Sequence, residues 1–242
     1  MTRGRQGNTE SVDNYLKAIL VLEETGGGDT ALQGAPAGVR VTVKALAGEL
    51  KVAPASVTNM LQKLAAAAAP MVEYERHRGV RLSRMGRRRA LEVVRHHRLI
   101  ETFLYEVLDY PIDELHEEAE RLEHFISERF EERIAAKLGH PKTDPHGHAI
   151  PAMDGRMAAR ASMALAEVER DGVFVVESVS DRDAGSLRRM EARGVAPGVK
   201  IQVKRMKAGG FEVQAGRDGK PFELTGEAAR GVKVQRSAKR GG

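Results

Sequence analysis

The strongest constraint on this chain is a run of short, closely spaced elements between Thr42 and Leu82. A short helix is predicted over 42–50. A second starts at Pro54, which suits a first helical position because the N–H it lacks would find no partner there. Val57, Met60, Leu61 and Leu64 give this second helix an apolar stripe at helical spacing. Only Lys51, Val52 and Ala53 separate the two helices, the pattern of a helix-turn-helix. Strand-like Met71–Tyr74, a turn over Glu75–Gly79 and strand-like Val80–Leu82 follow, so the motif ends in a β-hairpin wing. The alanines of 65–69 favour carrying the second helix onward until Pro70 stops it.

The surrounding sequence is mostly helical, then changes character. Val12, Tyr15, Leu16 and Ile19 predict a first helix over 9–24. A Gly/Ala/Pro loop at 25–38 follows it. Ser83 is a candidate N-cap for a long helix reaching Leu108, and Pro111 ends it. A helical stretch over 112–138, broken near Ser127, closes at Gly139 and Pro141. Residues 140–170 are rich in Pro, Gly, His and Ala and read as a linker with some helix near its end. His140, His146 and His148 are expected there as exposed loop histidines. Over 172–236 the pattern becomes β-rich and barrel-like, with strands at Val173–Val179, Lys200–Arg205, Phe211–Gln214 and Val232–Val234 and turns at Pro197–Gly198 and Gly209–Gly210. The fold class is mainly α with small β.

Charge placement points to a partner. The net charge is +5, and between Arg76 and Arg89 stand seven arginines and no acid. An arginine run by itself is usually a solvated face, but this one lies on and beside the wing, where arginines meet DNA phosphates. The outer face of the second helix carries Ser56, Thr58, Asn59, Gln62 and Lys63 behind Pro54, groups able to reach base edges in the major groove. Arg76, Arg78 and Arg81 are the candidate phosphate contacts. The chain has no cysteine, so disulfides and thiolate metal ligands are excluded. No apolar run is long enough for a membrane span, and the polar start at Met1–Asn8 lacks a signal core, so a cytoplasmic location is expected.

A second constellation points to metal. His116, Glu120, Glu123 and His124 lie at i, i+4, i+7 and i+8, on one face of a helix, and His97 and Glu101 form a further i, i+4 pair. If the helices before and after Asp109–Pro111 pack antiparallel, these N and O donors converge, a set suited to Mn²⁺ or Fe²⁺. The competing reading is a solvated or packing His/Glu face, in a winged-helix regulator that answers a non-metal signal. Enzymatic readings find little: H-E-x-x-H is absent, H-x-x-E-H would need His where Glu120 stands, and the E-x-x-H of di-iron bundles would need Glu where Arg121 stands. No small-molecule substrate is expected.

Several of these segments together resemble the diphtheria-toxin-repressor family of metal-dependent regulators and its manganese-transport-regulator branch: D-N-Y-L-K-A-I (13–19), P-A-S-V-T-N-M-L-Q-K-L (54–64), R-G-V-R-L-S (78–83), H-R-L-I-E (97–101), H-E-E-A-E-R-L-E-H (116–124) and G-H-A-I-P (147–151). The stretch L-R-R-M-E-A-R-G-V-A-P-G (187–198) resembles the SH3-like module of longer members and of ferrous-iron transport accessory proteins. The resemblance implies an N-terminal winged helix-turn-helix (1–88), a central helical metal-binding and dimerisation domain (89–153), a linker (154–170), a C-terminal SH3-like β-barrel (171–236) and a tail (237–242). It further implies a homodimer on double-stranded DNA with a palindromic operator, and two metal sites per subunit. One site would use Asn14, Glu120, Glu123 and His124, and the other His97, Glu101 and His116, with Asp183 donated by the C-terminal module. Asn14 stands where the family usually has methionine or aspartate, and neighbouring Asp13 is an alternative ligand. Glu120 matches the manganese-responsive members, whose iron-responsive relatives carry cysteine there, whereas His116 and the C-terminal module match the iron-responsive type.

Overall fold

A computed structural model describes residues 3–25, 40–157, 162–207 and 209–237; the side chains of residues 3–9, 24 and 25 are outside that description. The predicted Gly/Ala/Pro loop (from residue 26 on), part of the linker and the tail beyond residue 237 lie outside the described residues. The chain gathers into two compact units, one from the described residues of 1–96, 123–125 and 151–159, the other from those of 97–122, 126–150 and 160–242.

The first unit is built on three helices and a hairpin. Helix α1 (Arg3–Thr25), α2 (Val43–Leu50) and α3 (Pro54–Ala65) precede strands β1 (Val72–Glu75) and β2 (Gly79–Leu82), and α4 (Arg84–Leu108) begins here. Thr42 caps α2 by accepting a hydrogen bond from the Ala45 N–H, and α2 closes at Lys51 in the left-handed conformation. Leu16, Ile19, Leu46, Val57, Leu61 and Val80 are fully buried in one core. The wing is rooted there, because Val41 and Val80 exchange both backbone hydrogen bonds, at 2.7 and 2.9 Å. Gly79 (φ +95°) makes this pairing possible; a Cβ at that position would stand 2.4 Å from the Val41 carbonyl oxygen.

The alanine run does not extend α3. The helix stops at Ala65, and the chain turns back so that the Met71 N–H reaches the Leu64 carbonyl at 3.2 Å. Alanine favours helix but brings no side chain to bury. Beyond Leu64 the apolar stripe runs out, and the pairing of β1 with β2 decides the path.

The second unit continues from α4 into α5 (Leu115–Leu122) and α6 (Glu128–Lys137). The break comes at Leu122, where α5 ends, and Ser127 caps α6 by accepting from the Phe130 N–H. Ile100 and Leu104 of α4 pack with Leu115 and Ala119 of α5, while Leu99 packs with Ile134, Ala135 and Ile150. The C-terminal module follows: β3 (Met163–Ala164), β4 (Gly172–Val179), α7 (Ala184–Ala192), β5 (Lys200–Arg205), β6 (Phe211–Ala215), β7 (Phe222–Leu224), α8 (Gly226–Arg230) and β8 (Val232–Arg236). Its sheet has the order β3-β8-β4-β5-β6-β7, every pairing antiparallel. The expected barrel is therefore not closed: the edge strands β3 and β7 span two and three residues and do not pair with each other. Such short edges expose little unpaired backbone. The inward-facing Phe174, Val176, Ile201, Val203, Val213 and Val234 fill the core beneath them.

Two glycines in helices make opposite predictions. A Cβ on Gly86 would lie 1.9 Å from the Met71 carbonyl oxygen, whereas one on Gly48 meets nothing within 4 Å. Gly86→Ala is expected to destabilise the fold by about 3 kcal/mol. Gly48→Ala, in an open helical position, is expected to stabilise it by roughly 0.5–1 kcal/mol. Chemical denaturation of the two variants checks both signs.

Candidate metal centre and nucleic-acid interface

In the first unit, α3 turns Val57, Leu61 and Leu64 inward and leaves Pro54, Ser56, Asn59, Gln62 and Lys63 exposed. Thr58 is half-buried, and its hydroxyl donates to the Pro54 carbonyl at 3.0 Å. The hairpin turn places Arg76 and Arg78 at the exposed tip, with His77 in the left-handed region. The arginine run divides by partner. Arg81 pairs with Glu73, Arg87 with Glu23 and Arg89 with Asp13, while Arg84 and Arg88 are exposed on the first turns of α4. Part of the positive charge therefore binds α4 to α1 and one wing strand to the other; Arg78 pairs with Glu75 at 2.8 Å at the tip, and the rest faces solvent.

In the second unit, α4 presents His97 and Glu101 one turn apart, and α5 brings His116 against them. His97 Nε2 lies 3.1 Å from Glu101 Oε1 and 3.2 Å from His116 Nδ1. Past the end of β4, Asp181 reaches the same point, its Oδ2 standing 3.6 Å from His116 Nδ1. Asp183, the residue expected from this module, is elsewhere: its carboxylate caps α7 through the Gly185 and Ser186 N–H groups and is 68% exposed. Glu120 also belongs to this unit, 3.9 Å from His116 Nε2.

The loop before the module completes the cluster. His146, expected as an exposed loop residue, is fully buried, with Nδ1 3.7 Å from Glu101 Oε1. His148 is half-buried and points Nδ1 at Asp144, 3.3 Å away, while His140 is exposed as expected. The strap that buries this loop is backbone: the Val179 N–H donates to the His146 carbonyl at 2.9 Å. Gly147 (φ +89°) lies so close that a Cβ there would be 2.1 Å from the Glu177 carbonyl oxygen.

The donor set fits a divalent cation. Ligand atoms of His97, Glu101, His116 and Asp181 all lie within 4.8 Å of one another, as do those of Asp144, His146 and His148. Bonds of about 2.1 Å to one ion put neighbouring donors about 3 Å apart and opposite ones about 4.2 Å apart. Within this buried cluster Glu101 Oε2, Asp144 Oδ2 and His146 Nδ1 have no hydrogen-bond partner, an arrangement that costs free energy unless something else satisfies them. Without an ion, protons do part of this work. Burial alone would raise Glu101, but His97, His116 and His146 hold it well below the usual carboxylate range. Burial opposes charging of His116 and His146; the Asp181 and Glu101 carboxylates overcome it and push His116 up to about 10, and chiefly Glu101 pushes His146 up to about 9.

A second group of expected ligands meets in the first unit. Asn14 of α1 offers Oδ1 at 2.9 Å to His124 Nε2, and Glu123 Oε1 lies 3.4 Å from the same nitrogen. Asp13 makes a two-pronged ion pair with Arg89, at 2.7 and 2.8 Å, and its Oδ2 stands 3.7 Å from His124 Nδ1. Burial would raise the Asp13 pKa, but hydrogen bonds from His124 and Arg89 lower it. Lys17 donates to both oxygens of the buried Glu123 carboxylate, at 2.8 and 3.1 Å.

Residues 8–80 match the family described as the iron-dependent repressor N-terminal DNA-binding domain, and residues 83–152 match its metal-binding and dimerisation domain. Residues 163–236 match the FeoA domain. The iron-dependent repressor of Mycobacterium leprae is 30% identical over 213 residues, covering 83% of this chain and 86% of that protein. The chain belongs to the iron-dependent repressor family. A manganese-dependent transcriptional repressor in complex with manganese superposes with a TM-score of 0.79 at 32% identity, covering 93% of this chain and 100% of that one. ScaR with bound Zn²⁺ superposes at 0.77 and 29% identity, over 93% and 99% of the two chains. The family consists of metal-dependent, DNA-binding transcriptional repressors rather than enzymes.

Sequence reasoning missed Asp144, His146, His148 and Asp181. The first three carried one usable signal, the Asp144/His148 i, i+4 pair around a glycine; Asp181 carried none, because only the course of the chain after β4 brings it to His116.

The raised histidines set the sign of a pH effect. With pKa values of about 10 and 9, His116 and His146 carry protons at pH 7 in the ion-free protein, and an entering cation must displace them. Mn²⁺ affinity is therefore expected to strengthen as pH rises from 6 toward 9. Calorimetry at pH 7 in buffers of different ionisation heat should show net proton release. Affinity independent of pH over that range would contradict the protonated resting state.

Proposed function

We propose that this protein is a cytoplasmic, metal-activated transcriptional repressor of metal-uptake genes, acting as a homodimer on a palindromic operator with Mn²⁺ or Fe²⁺ as co-repressor. The observation that carries the reading is the buried donor cluster around Glu101, with its unsatisfied atoms, in a chain that also bears a winged helix. No described helix is long and apolar enough to cross a membrane.

Two pockets would hold ions. In one, His97, Glu101, His116 and Asp181 are the ligands, with His146, His148 and Asp144 alongside. In the other, Asn14, Glu123 and His124 are the ligands. Asn14 is preferred over Asp13 because Asn14 Oδ1 and Glu123 Oε1 approach the same nitrogen, His124 Nε2, whereas Asp13 approaches Nδ1. Nitrogen and oxygen donors without thiolate suit Mn²⁺ and Fe²⁺ alike. Manganese is favoured by Glu120 in place of a cysteine and by the similarity to a manganese-dependent repressor. Tyr105, Leu108, Leu122 and Phe130, apolar and 38–50% exposed, offer the subunit contact.

On DNA, α3 enters the major groove. Ser56, Asn59, Gln62 and Lys63 reach base edges, and Pro54 and Thr58 shape the start of the helix. Arg76, Arg78 and Arg81 meet phosphates, Arg81 while held by Glu73. A bound cation supplies a link between residues far apart in sequence. In the α1 pocket it would join Asn14 to Glu123 and His124, restricting the orientations the first helix can sample. Binding can shift that equilibrium only by its difference in affinity between the two states.

Fluorescence anisotropy with a candidate operator from a metal-uptake promoter tests the proposal, at fixed salt, first with chelator and then with Mn²⁺, anaerobic Fe²⁺ or Zn²⁺. At least tenfold tighter binding with metal is expected, and Glu101→Gln should abolish most of that gain. Equal binding with chelator would reduce the cluster to a structural role and leave a winged-helix regulator of another signal.

A further inference from the structure

The two pockets are not equivalent electrostatically. Around Glu101, three buried donor atoms lack hydrogen-bond partners. In the α1 pocket His124 Nδ1 also lacks one, but there each carboxylate is gripped by the side chain of a lysine or arginine rather than by histidines. Arg89 grips Asp13 with two hydrogen bonds, and Lys17 donates to both oxygens of Glu123. The Glu123 side chain is 0% exposed and that of Lys17 13%, so this pair sits largely out of water. Asn14, the remaining oxygen donor, is neutral. The ammonium therefore stands within hydrogen-bond reach of both carboxylate oxygens that a metal ion would need.

We propose that Lys17 is a built-in cation of the α1 pocket: it neutralises Glu123 when no metal ion is bound, and an incoming divalent ion must displace it. The inference rests on the assignment of Asn14, Glu123 and His124 as metal ligands. Lys17 and Glu123 together tie α1 to the 123–125 segment without metal. The pocket around Glu101 fills first, and the α1 pocket fills at higher metal concentration, exchanging one cation for another. Like charges crowded into a low-dielectric site repel strongly, and breaking a buried pair leaves an uncompensated charge unless the ion takes its place. Lys17 thus sets the metal threshold of the pocket on α1.

The test isolates that pocket. In a full-length chain carrying His97→Ala and Glu101→Gln, Mn²⁺ binding is followed by the electron paramagnetic resonance signal of the free ion, with Lys17 intact and with Lys17→Met or Lys17→Gln. Circular dichroism verifies that each variant folds. The expected result is at least tenfold tighter Mn²⁺ binding in the neutral variants, with Lys17→Arg remaining weak. Equal affinity with and without the ammonium would overturn the role of Lys17 alone. No binding in any of these chains would overturn both that role and the assignment of the pocket as a metal site. A measurement on the unmutated protein is independent of variant folding: the ¹⁵N–¹H signal of the Lys17 ammonium should be ordered in the metal-free protein and lost on saturation with diamagnetic Zn²⁺. Persistence of that signal in the saturated protein would overturn displacement.

Discussion

A carboxylate buried without exposure is the constraint on which the second unit depends. Glu101 sits in the middle of α4 with no contact to water, and removing a charge from water costs several kcal/mol unless neighbours offset it. The unit supplies those neighbours from every direction: His97 from the same helix, His116 from α5, His146 from the strapped loop and, next to His116, Asp181 from the C-terminal module. Cores of ordinary apolar residues on either side, around Ile100 and Leu115 and around Leu99 and Ile134, hold these donors in place. With protons the cluster is partly satisfied; a divalent ion would give its orphaned atoms a partner.

The first unit uses charge for a different purpose. Its arginine-rich stretch looks in sequence like one undivided patch for DNA. In the structure, Glu23 and Asp13 take Arg87 and Arg89, fastening the start of α4 to α1, while Glu73 takes Arg81 across the two strands of the wing. Glu23 also accepts the Leu82 N–H at 3.0 Å, and its burial outweighs these partners to raise its pKa. The position of α1 is thereby coupled to α4 by ion pairs of its buried carboxylates, to the wing by the Glu23–Leu82 hydrogen bond, and to the 123–125 segment by Lys17 and Asn14. Any ligand that changes the hold on α1 acts on an element already wired to the DNA-reading face.

Local pattern made the helix-turn-helix, the wing and the long α4 legible in sequence, because Val57, Leu61 and Leu64, the Ser83 cap and the Val80–Leu82 alternation report on nearest neighbours. The His97/Glu101 pair and His116 were legible for the same reason, since helical spacing puts donors on one face. What failed was non-local. Alanine propensity over 65–69 lost to the hydrogen bond that folds Met71 back on Leu64. The loop carrying His146 has a linker's composition, and its burial comes from distant partners, the Val179 N–H on the His146 carbonyl and the Ile112 carbonyl beside the His146 ring. Asp181 and Asp183 are indistinguishable in sequence; one meets His116 and the other caps α7, a choice made by where β4 ends.

The central claim, that the Glu101 cluster is the high-affinity metal centre, is tested most directly by equilibrium dialysis of the purified protein against micromolar Mn²⁺, comparing the natural sequence with Glu101→Gln. The account predicts that the substitution removes the tightest-bound ion and leaves a weaker one. Retention of that ion with unchanged affinity in Glu101→Gln would contradict it.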